Sequence, residues 1–308
     1  MYMLQLYRKN QYTRLPVYID CYTFHDPQIP EPQWFNEKIT RDNLQRVYDP
    51  HAHKELEVHY VRRGRIYARV DMNTIKLNAG DILIVNPYVV HDGYLDPQAG
   101  ITEYVHTTFN MQHFLGNCGK NVMEVVNDLC SGRRAFAALL SAGHSGADKI
   151  ASTLDTLLEL DRMPQARFLT ADCCTVGAVC HLFGYLLDYV PIERCRADYP
   201  REIQFVQQVQ DYIEQHYCEH LRMEDVAVAL SYSKSYFCTR FKESFGKSFS
   251  HYLNEFRIQR AAVDYFDSTL PLTEIAFRVG FVDYCYFSRS FKKYMQMSPS
   301  EYFKSVVR

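Results

Sequence analysis

The chain has 308 residues, of which 47% are hydrophobic and 23% charged, and its formal net charge is −2. This composition excludes a disordered or fibrous chain and leaves room for two domains of ordinary size. The near-neutral charge also excludes a uniformly basic protein. A polyanion such as a nucleic acid would therefore bind only where Lys and Arg are locally in excess.

Residues 1–20 contain Arg8, Lys9 and Arg14 without the apolar run of a secretory signal. No stretch approaches the roughly 18 uninterrupted apolar residues that a membrane helix needs. We therefore expect a cytoplasmic protein with no membrane partner. The ten cysteines are scattered through apolar helical patterns without a CxxC pair, which predicts buried, reduced thiols.

Residues 15–110 alternate short β-branched and aromatic runs with turn signals at 63–64, 72–73 and 78–81. Short strands at such regular spacing favour a β-sandwich or a small barrel. We assign residues 1–110 to an N-terminal domain of this type.

Residues 111–195 change to a helical pattern. Ile150, Leu154 and Leu158 recur at helical spacing, and residues 173–190 are apolar nearly all round. The second pattern is typical of a buried or interface helix. We therefore expect 111–195 to form a helical segment that carries a dimer interface.

Residues 201–308 read as short helices and contain an internal repeat, in which 224–253 aligns with 273–303. The matched aromatic and basic positions are Tyr236-Phe237 with Tyr286-Phe287 and Phe241-Lys242 with Phe291-Lys292. Two copies are too few for a solenoid, so they indicate a duplicated unit.

Each copy reads as a short helix, a tight turn and a second helix. In the second copy, Ala276 permits close helix crossing, Gly280 supplies the turn, and Phe287 and Phe291 point to the core. This is helix-turn-helix geometry, in which the second helix can lie in a DNA major groove. The duplication predicts two such helices about one DNA turn apart, with 248–266 as a helical spacer.

Four stretches within 205–308 carry a family resemblance, namely "YLNEFRIQRA" (252–261), "EIAFRVGF" (274–281), "YFSRSFKKY" (286–294) and "SPSEYF" (298–303). In this order they closely resemble the DNA-binding domain of the AraC/XylS transcription regulators. The resemblance implies an all-α domain of seven helices with two helix-turn-helix motifs, which we assign to residues 201–308.

The resemblance also implies which side chains contact DNA. The base-facing positions would be Ser235, Cys238 and Thr239 in the first copy and Tyr284, Cys285 and Arg289 in the second. Arginine can fork onto guanine O6 and N7, whereas lysines position the protein on phosphates. The phosphate contacts would be Lys234, Lys242, Lys292 and Lys293. The alternatives are a surface salt bridge for Arg289 and solvated side chains for the lysines.

Residues 51–64, "HAHKELEVHYVRRG", fit the first motif of the cupin proteins through His51, His53, Glu57 and Gly64. Residues 80–91 approximate the second motif with His91, although Val89 stands where a glycine is usual. The N-terminal domain therefore resembles a small cupin barrel. The fold expected for the whole chain is α+β, with this barrel, the helical segment and the all-α C-terminal domain.

Three readings of the barrel residues remain open. The first is a pocket for a small-molecule effector such as a sugar, lined by His51, His53, Glu57, His91, Tyr60 and Trp34. In the second, a divalent transition metal binds the three histidines and Glu57. In the third, the residues are purely structural. We favour the first, without a metal or another cofactor.

The function expected from these patterns is a regulator that binds double-stranded promoter DNA as a homodimer. By resemblance it would activate carbohydrate or other carbon-source genes in response to its effector, with RNA polymerase as a partner. We expect no catalytic residues. The alternatives are a metal-dependent cupin enzyme fused to a DNA-binding domain and a regulator that responds to a protein partner.

Overall fold

A computed structural model describes residues 17–24, 45–71, 73–163, 168–267, 270–295 and 297–306. The described residues form two compact units that divide between Gln204 and Phe205.

The first unit contains two main antiparallel sheets. One has five strands in the order β1-β8-β3-β6-β10, the other has four in the order β2-β7-β4-β5, and β11 pairs with β9 in a small third sheet. The strands are β1 Val17–Phe24, β2 Gln45–His51, β3 Leu56–Arg63, β4 Arg65–Val70, β5 Asn73–Asn78, β6 Ile82–Val85, β7 His91–Leu95, β8 Thr102–Phe109, β9 Arg134–Phe136, β10 Leu139–Leu140 and β11 Ile192–Arg194.

Strand β3 has both faces buried, and its two faces meet different surroundings. Leu56 and Val58 belong to a hydrophobic core, whereas Glu57 and His59 alternate with them and point the other way. Glu57 contacts His91 of the four-stranded sheet. The two sheets therefore enclose a polar interior, as the cupin-like barrel predicted from the sequence requires.

Helices cover the outer face of the five-stranded sheet. They are α1 Met111–Leu115, α2 Lys120–Cys130, α3 Ala147–Asp161 and α4 Phe168–Tyr189. Leu154 and Leu157 of α3 and Val179 and Phe183 of α4 are buried in the same hydrophobic core as Val58 of β3. The helical segment therefore shares one core with the barrel.

Helix α4 is apolar on two sides. Its stretch Leu169–Tyr189 has a mean hydropathy of 1.3 and is long enough to cross a membrane by length and composition, and 39% of it is buried. Its inward side, including Leu182 and Phe183, packs in the core. On the outward side, Leu169 and Val176 are exposed. The inward packing accounts for part of the apolar composition, and the outward side is left uncovered by the described residues.

The prediction of buried thiols is wrong in part. All ten cysteines are free, as predicted. Six of them are nevertheless exposed, namely Cys118, Cys173, Cys174, Cys218, Cys238 and Cys285. The helical pattern located the helices correctly, but a small thiol tolerates the outward face of a helix as well as the inward one.

The second unit is all-α. Its helices are α5 Tyr199–His216 (which begins in the first unit), α6 Met223–Ala229, α7 Lys234–Phe245, α8 Phe249–Asp267, α9 Leu272–Arg278, α10 Tyr284–Met295 and α11 Pro299–Val306. Phe237 and Phe241 of α7 and Phe287 and Phe291 of α10 are fully or almost fully buried. The phenylalanine pairs thus anchor α7 and α10, as the sequence predicted for the second copy.

The two turns of the repeat have the same backbone. Phe281 N–H donates to Ala276 O at 3.0 Å, and at the equivalent place Tyr232 N–H donates to Ala227 O at 2.8 Å. The residue before each donor has a positive φ, 92° at Gly280 and 61° at Ser231. Glycine thus occupies this left-handed position in the second copy, and serine occupies it in the first.

We expect Gly280→Ala to destabilise the second unit by about 2 kcal/mol or more, since a strained φ and a clash would add. A Cβ at Gly280 would lie 2.7 Å from Tyr217 O and 2.9 Å from Cys218 Cα. The measurement is hydrogen–deuterium exchange, which reads the two units separately. Protection should fall in α9, α10 and the parts of α8 and α11 that share their core, and should not change in the first unit. Gly184→Ala is the control, because its Cβ would meet nothing within 4 Å. Equal protection in both variants would contradict this account.

Candidate functional site

The barrel interior contains a carboxylate surrounded by imidazoles. Glu57 is fully buried, and its Oε2 accepts hydrogen bonds from His53 Nε2 at 2.7 Å and His91 Nε2 at 3.1 Å. Its other oxygen, Oε1, lies 2.5 Å from His59 Nε2. One acid from β3 therefore connects the two sheets and the loop before β3.

These contacts set the charges of the cluster. Burial opposes ionisation of Glu57, but the charges of His59 and His91 and the hydrogen bond from His53 hold its pKa well below the usual range. Burial likewise opposes protonation of His53, yet its bond to Glu57 and the Glu57 charge raise its pKa. The second ring nitrogen of His53 faces Glu55 O at 3.2 Å, so the imidazolium can donate twice.

The structure brings together four of the six residues predicted for the pocket. Ligand atoms of His51, His53, Glu57 and His91 all lie within 4.8 Å of one another. Three imidazoles and a carboxylate are a suitable donor set for a divalent transition metal. Bonds of about 2.1 Å would require ligand atoms within about 4.2 Å of each other, so a metal would draw the cluster slightly inward and replace the hydrogen bonds of Glu57.

Tyr60 is not part of this cluster. It lies on the face of β3 opposite Glu57 and packs, half-buried, against the hydrophobic core. Its assignment to the pocket is therefore corrected, because a residue at odd spacing from Glu57 on a strand points away from it. Trp34 lies outside the described residues.

The sequence analysis missed a second group of side chains beside the cluster. His59 pairs across the strands with His106, and their ring centroids are 5.4 Å apart. Tyr18 and Tyr22 of β1 approach His106 at 5.1 Å and 5.4 Å, and Tyr104 approaches His59 at 5.8 Å. These residues lie on the Glu57 side of β1, β3 and β8. Alternation along each strand could have shown which side chains share a face. Only the pairing of the strands, which the sequence does not show, brings these residues together.

His106 is neutral in this position. Burial is the main cause and lowers its pKa to about 3, since the nearby charge of Glu57 only partly offsets the cost of burying a cation. The interior therefore joins an ionised cluster around Glu57 to a neutral aromatic group around His106.

In the second unit, the predicted DNA-contacting residues of α7 lie on one outward face. Ser235, Cys238 and Thr239 are exposed, whereas Phe237 and Phe241 are buried on the other side. Lys234 and Lys242 are exposed as well. Lys234 Nζ is already paired with Glu224 at 2.8 Å, so a phosphate would have to compete with this carboxylate.

Helix α10 presents a similar face. Cys285, Arg289, Lys292 and Lys293 are exposed and Tyr284 is half-buried. Among the described residues, Arg289 makes no ion pair, unlike Lys234. Asp283 caps the helix by accepting from the N–H groups of Cys285 and Tyr286, which orients the start of α10. The sequence analysis did not single out this cap.

Not every cation of the second unit is available to a ligand. Arg257 is buried and donates to Tyr217 O and Glu219 O, each at 2.7 Å. It holds the chain after α5 in place. Arg257 therefore counts among the basic residues of the sequence but adds little to the charge that the surface presents.

Comparison with known proteins agrees with this architecture. Residues 37–158 match the family model described as "AraC-like ligand binding domain", and residues 226–305 match the one described as "Helix-turn-helix domain". The Msm operon regulatory protein of Streptococcus mutans is 24% identical over 262 residues, covering 84% of this chain and 87% of that protein.

Other matches extend the comparison. An uncharacterized HTH-type transcriptional regulator of Staphylococcus aureus is 26% identical over 260 residues, and the match spans 80% of this chain but only 31% of that longer protein. ToxT from Vibrio cholerae, solved with a bound naphthalenyl butenoic acid, has the same fold with a TM-score of 0.51. The identity there is 12%, over 94% of this chain and 99% of ToxT.

The two domain matches follow one another in the chain, on a β-barrel unit and on a helical unit with a duplicated helix–turn–helix arrangement. The chain is therefore a member of the AraC/XylS family of DNA-binding transcription regulators.

Proposed function

We propose that this regulator reads promoter DNA with α7 and α10 and activates carbohydrate or other carbon-source genes when an effector binds the barrel. The observation that carries the DNA-reading part is the pair of outward faces opposite the buried phenylalanines. On α10 this face bears Arg289, an arginine without an ion pair among the described residues.

The bases would be read by the exposed side chains of the two helices. Ser235, Cys238 and Thr239 are small and suit contact with thymine methyl groups, so α7 adds little discrimination. On α10, Tyr284 and Cys285 flank the groove, and Arg289 can donate two hydrogen bonds to a guanine. Phosphates would be held by the neighbouring lysines Lys234, Lys242, Lys292 and Lys293.

The effector would bind in the barrel interior. The rings of Tyr18, Tyr22 and Tyr104 offer flat apolar faces and hydroxyl groups, and His59 and His106 offer ring nitrogens. Stacking on rings combined with several hydrogen bonds suits a sugar or another polyhydroxylated molecule. The effector can change DNA binding only if it binds one conformation of the protein better than another.

A metal at His51, His53, Glu57 and His91 is the second candidate for the barrel, favoured by ligand atoms within 4.8 Å. We prefer the effector without a metal, because Glu57 is already compensated by its hydrogen bonds to imidazoles. We propose no catalytic role for the cluster, in keeping with a family of regulators.

Further parts of the proposal concern assembly. The protein would form a homodimer through the outward side of α4, where Leu169 is 85% exposed. Exposed large apolar side chains of this kind mark association surfaces when they cluster. As an activator the dimer would contact RNA polymerase, and it would act in the cytoplasm.

We expect Arg289→Ala to weaken binding to DNA from the protein's own upstream region by at least about tenfold, since one bidentate guanine contact is worth about 1–3 kcal/mol. Fluorescence anisotropy at two salt concentrations measures this. The control is Arg196→Ala, an exposed arginine of the first unit that pairs with Glu202 at 3.0 Å. Equal affinities of the two variants would contradict the assignment of Arg289.

A panel of sugars and related carbon sources should contain a compound that raises the melting temperature of the protein. We expect His106→Phe to abolish this shift, because it keeps a ring but removes both ring nitrogens. Tyr60→Phe should keep the shift, since Tyr60 lies on the other face of β3. Added chelator should leave the shift unchanged; its loss with chelator would instead favour the metal reading.

The neutral state of His106 predicts a stability that declines in acid. Between about pH 6.5 and pH 4.5 the unfolded chain binds a proton at this residue and the folded chain does not, so stability falls by up to about 1.4 kcal/mol per pH unit. The raised pKa of His53 acts in the opposite direction near pH 6.5, where the unfolded residue also takes up its proton, and the lowered pKa of Glu57 adds to the decline near pH 4.5. Denaturant titrations across the window measure the slope.

We expect this slope to diminish in His106→Phe and to persist in the control His113→Phe, since His113 is exposed. A slope unaffected by either substitution would show that another group controls the acid sensitivity.

A further inference from the structure

The second unit contains a surface cavity of about 490 Å³ between the start of α8 and α10. Ser250 and His251 line it from α8, and Arg289, Ser290 and Lys293 line it from α10. The spacer helix and the second reading helix therefore share one concave site.

The lining of this cavity suits an anion. Arg289 and Lys293 are four residues apart on one side of α10, and none of the described residues that line the cavity is an acid. Ser290 is only 7% exposed, and within the described part of the chain its hydroxyl group has no hydrogen-bond partner. This oxygen is not among the described buried atoms that lack a partner, so it opens onto the cavity, where a ligand or water can bond to it.

The backbone at the start of α8 favours the same kind of ligand. Ser248 Oγ accepts from His251 N–H at 3.4 Å, but the first amide groups of a helix have no acceptor inside it. These N–H groups carry partial positive charge and commonly face phosphate oxygens. Two cations, a serine hydroxyl without a described partner and a helix start thus line one space.

We propose that this cavity holds one phosphate of the DNA backbone, with Lys293 and Ser290 as its main contacts. The assignment rests on the proposed DNA-binding function and refines it. The proposal gives different roles to two neighbouring lysines. Both are exposed, but only Lys293 lines the cavity and Lys292 does not. Arg289 also lines the cavity, and because its guanidinium group has five N–H donors, one phosphate contact leaves others available to a base edge.

A phosphate is favoured over a base edge because the cavity offers donors and positive charge. Base edges in the major groove present mixed donors and acceptors without charge. A phosphate bound between α8 and α10 would fix the position of α10 in the groove from the side of the spacer helix. Inorganic phosphate or a phosphorylated metabolite has the same chemistry, so the experiment has to separate it from DNA.

The experiment begins with DNA selected from a random pool by the full-length wild-type protein. Each backbone phosphate of the selected site is then replaced singly by an uncharged methylphosphonate, and binding is measured for the wild type, Lys293→Ala and Lys292→Ala. We expect one phosphate at which replacement weakens wild-type binding roughly tenfold. At that phosphate the penalty should be several-fold smaller in Lys293→Ala, where Ser290 and Arg289 still contact the phosphate, whereas Lys292→Ala should retain the whole penalty.

The assignment to DNA is overturned if Lys293→Ala retains the penalty at every phosphate. It is also overturned if Lys292→Ala abolishes the same penalty, since a general loss of charge would then explain it. Phosphorus NMR of inorganic phosphate with DNA-free protein forms the second arm. If inorganic phosphate binds the wild type but not Lys293→Ala, and the methylphosphonate penalties on DNA are the same in both proteins, the cavity is a site for a free anion. Failure of the wild type to select any DNA would overturn the proposed function itself.

Discussion

The ionised carboxylate of Glu57 is the constraint on which the barrel depends. A charge that is fully buried must be compensated by close partners, because removing one such partner costs several kcal/mol. Here the partners come from β7, from β3 itself and from the loop before it, so the charge requires both sheets in their observed register. A shift of β3 by one residue would turn Glu57 into the hydrophobic core and Val58 into the polar interior.

The helical unit depends on a repeated arrangement and not on a buried charge. Its two copies use the same hydrogen bond to close the turn and the same phenylalanine spacing to bury one side of α7 and α10. Because the core takes up only this inward side, the outward residues can differ between the copies without a cost in packing. The small side chains of α7 and the basic ones of α10 therefore sit on equivalent scaffolds.

Local periodicity predicted much of the fold and part of the site. His51, His53 and Glu57 were identified by their match to the first cupin motif, and Phe287 and Phe291 by the helical repeat. His106 and Tyr18 were missed, because only the pairing of β1, β3 and β8 brings them to His59, and such pairing joins residues far apart in sequence. Tyr60 was misassigned although strand alternation places it opposite Glu57, and the exposed thiols show that helical patterns alone do not determine burial.

The spacer helix α8 fixes the distance between the two copies of the repeat. Its 19 residues form a rod of about 28 Å, slightly shorter than the roughly 34 Å of one DNA turn. A helix of this length resists bending and twisting, so under the proposed function α7 and α10 would keep a fixed phase relative to the double helix. One extra base pair between their half-sites would rotate one of them by about 35° around the DNA axis, and the rod could not follow. The register of the target would thus be set by the protein backbone as well as by the bases.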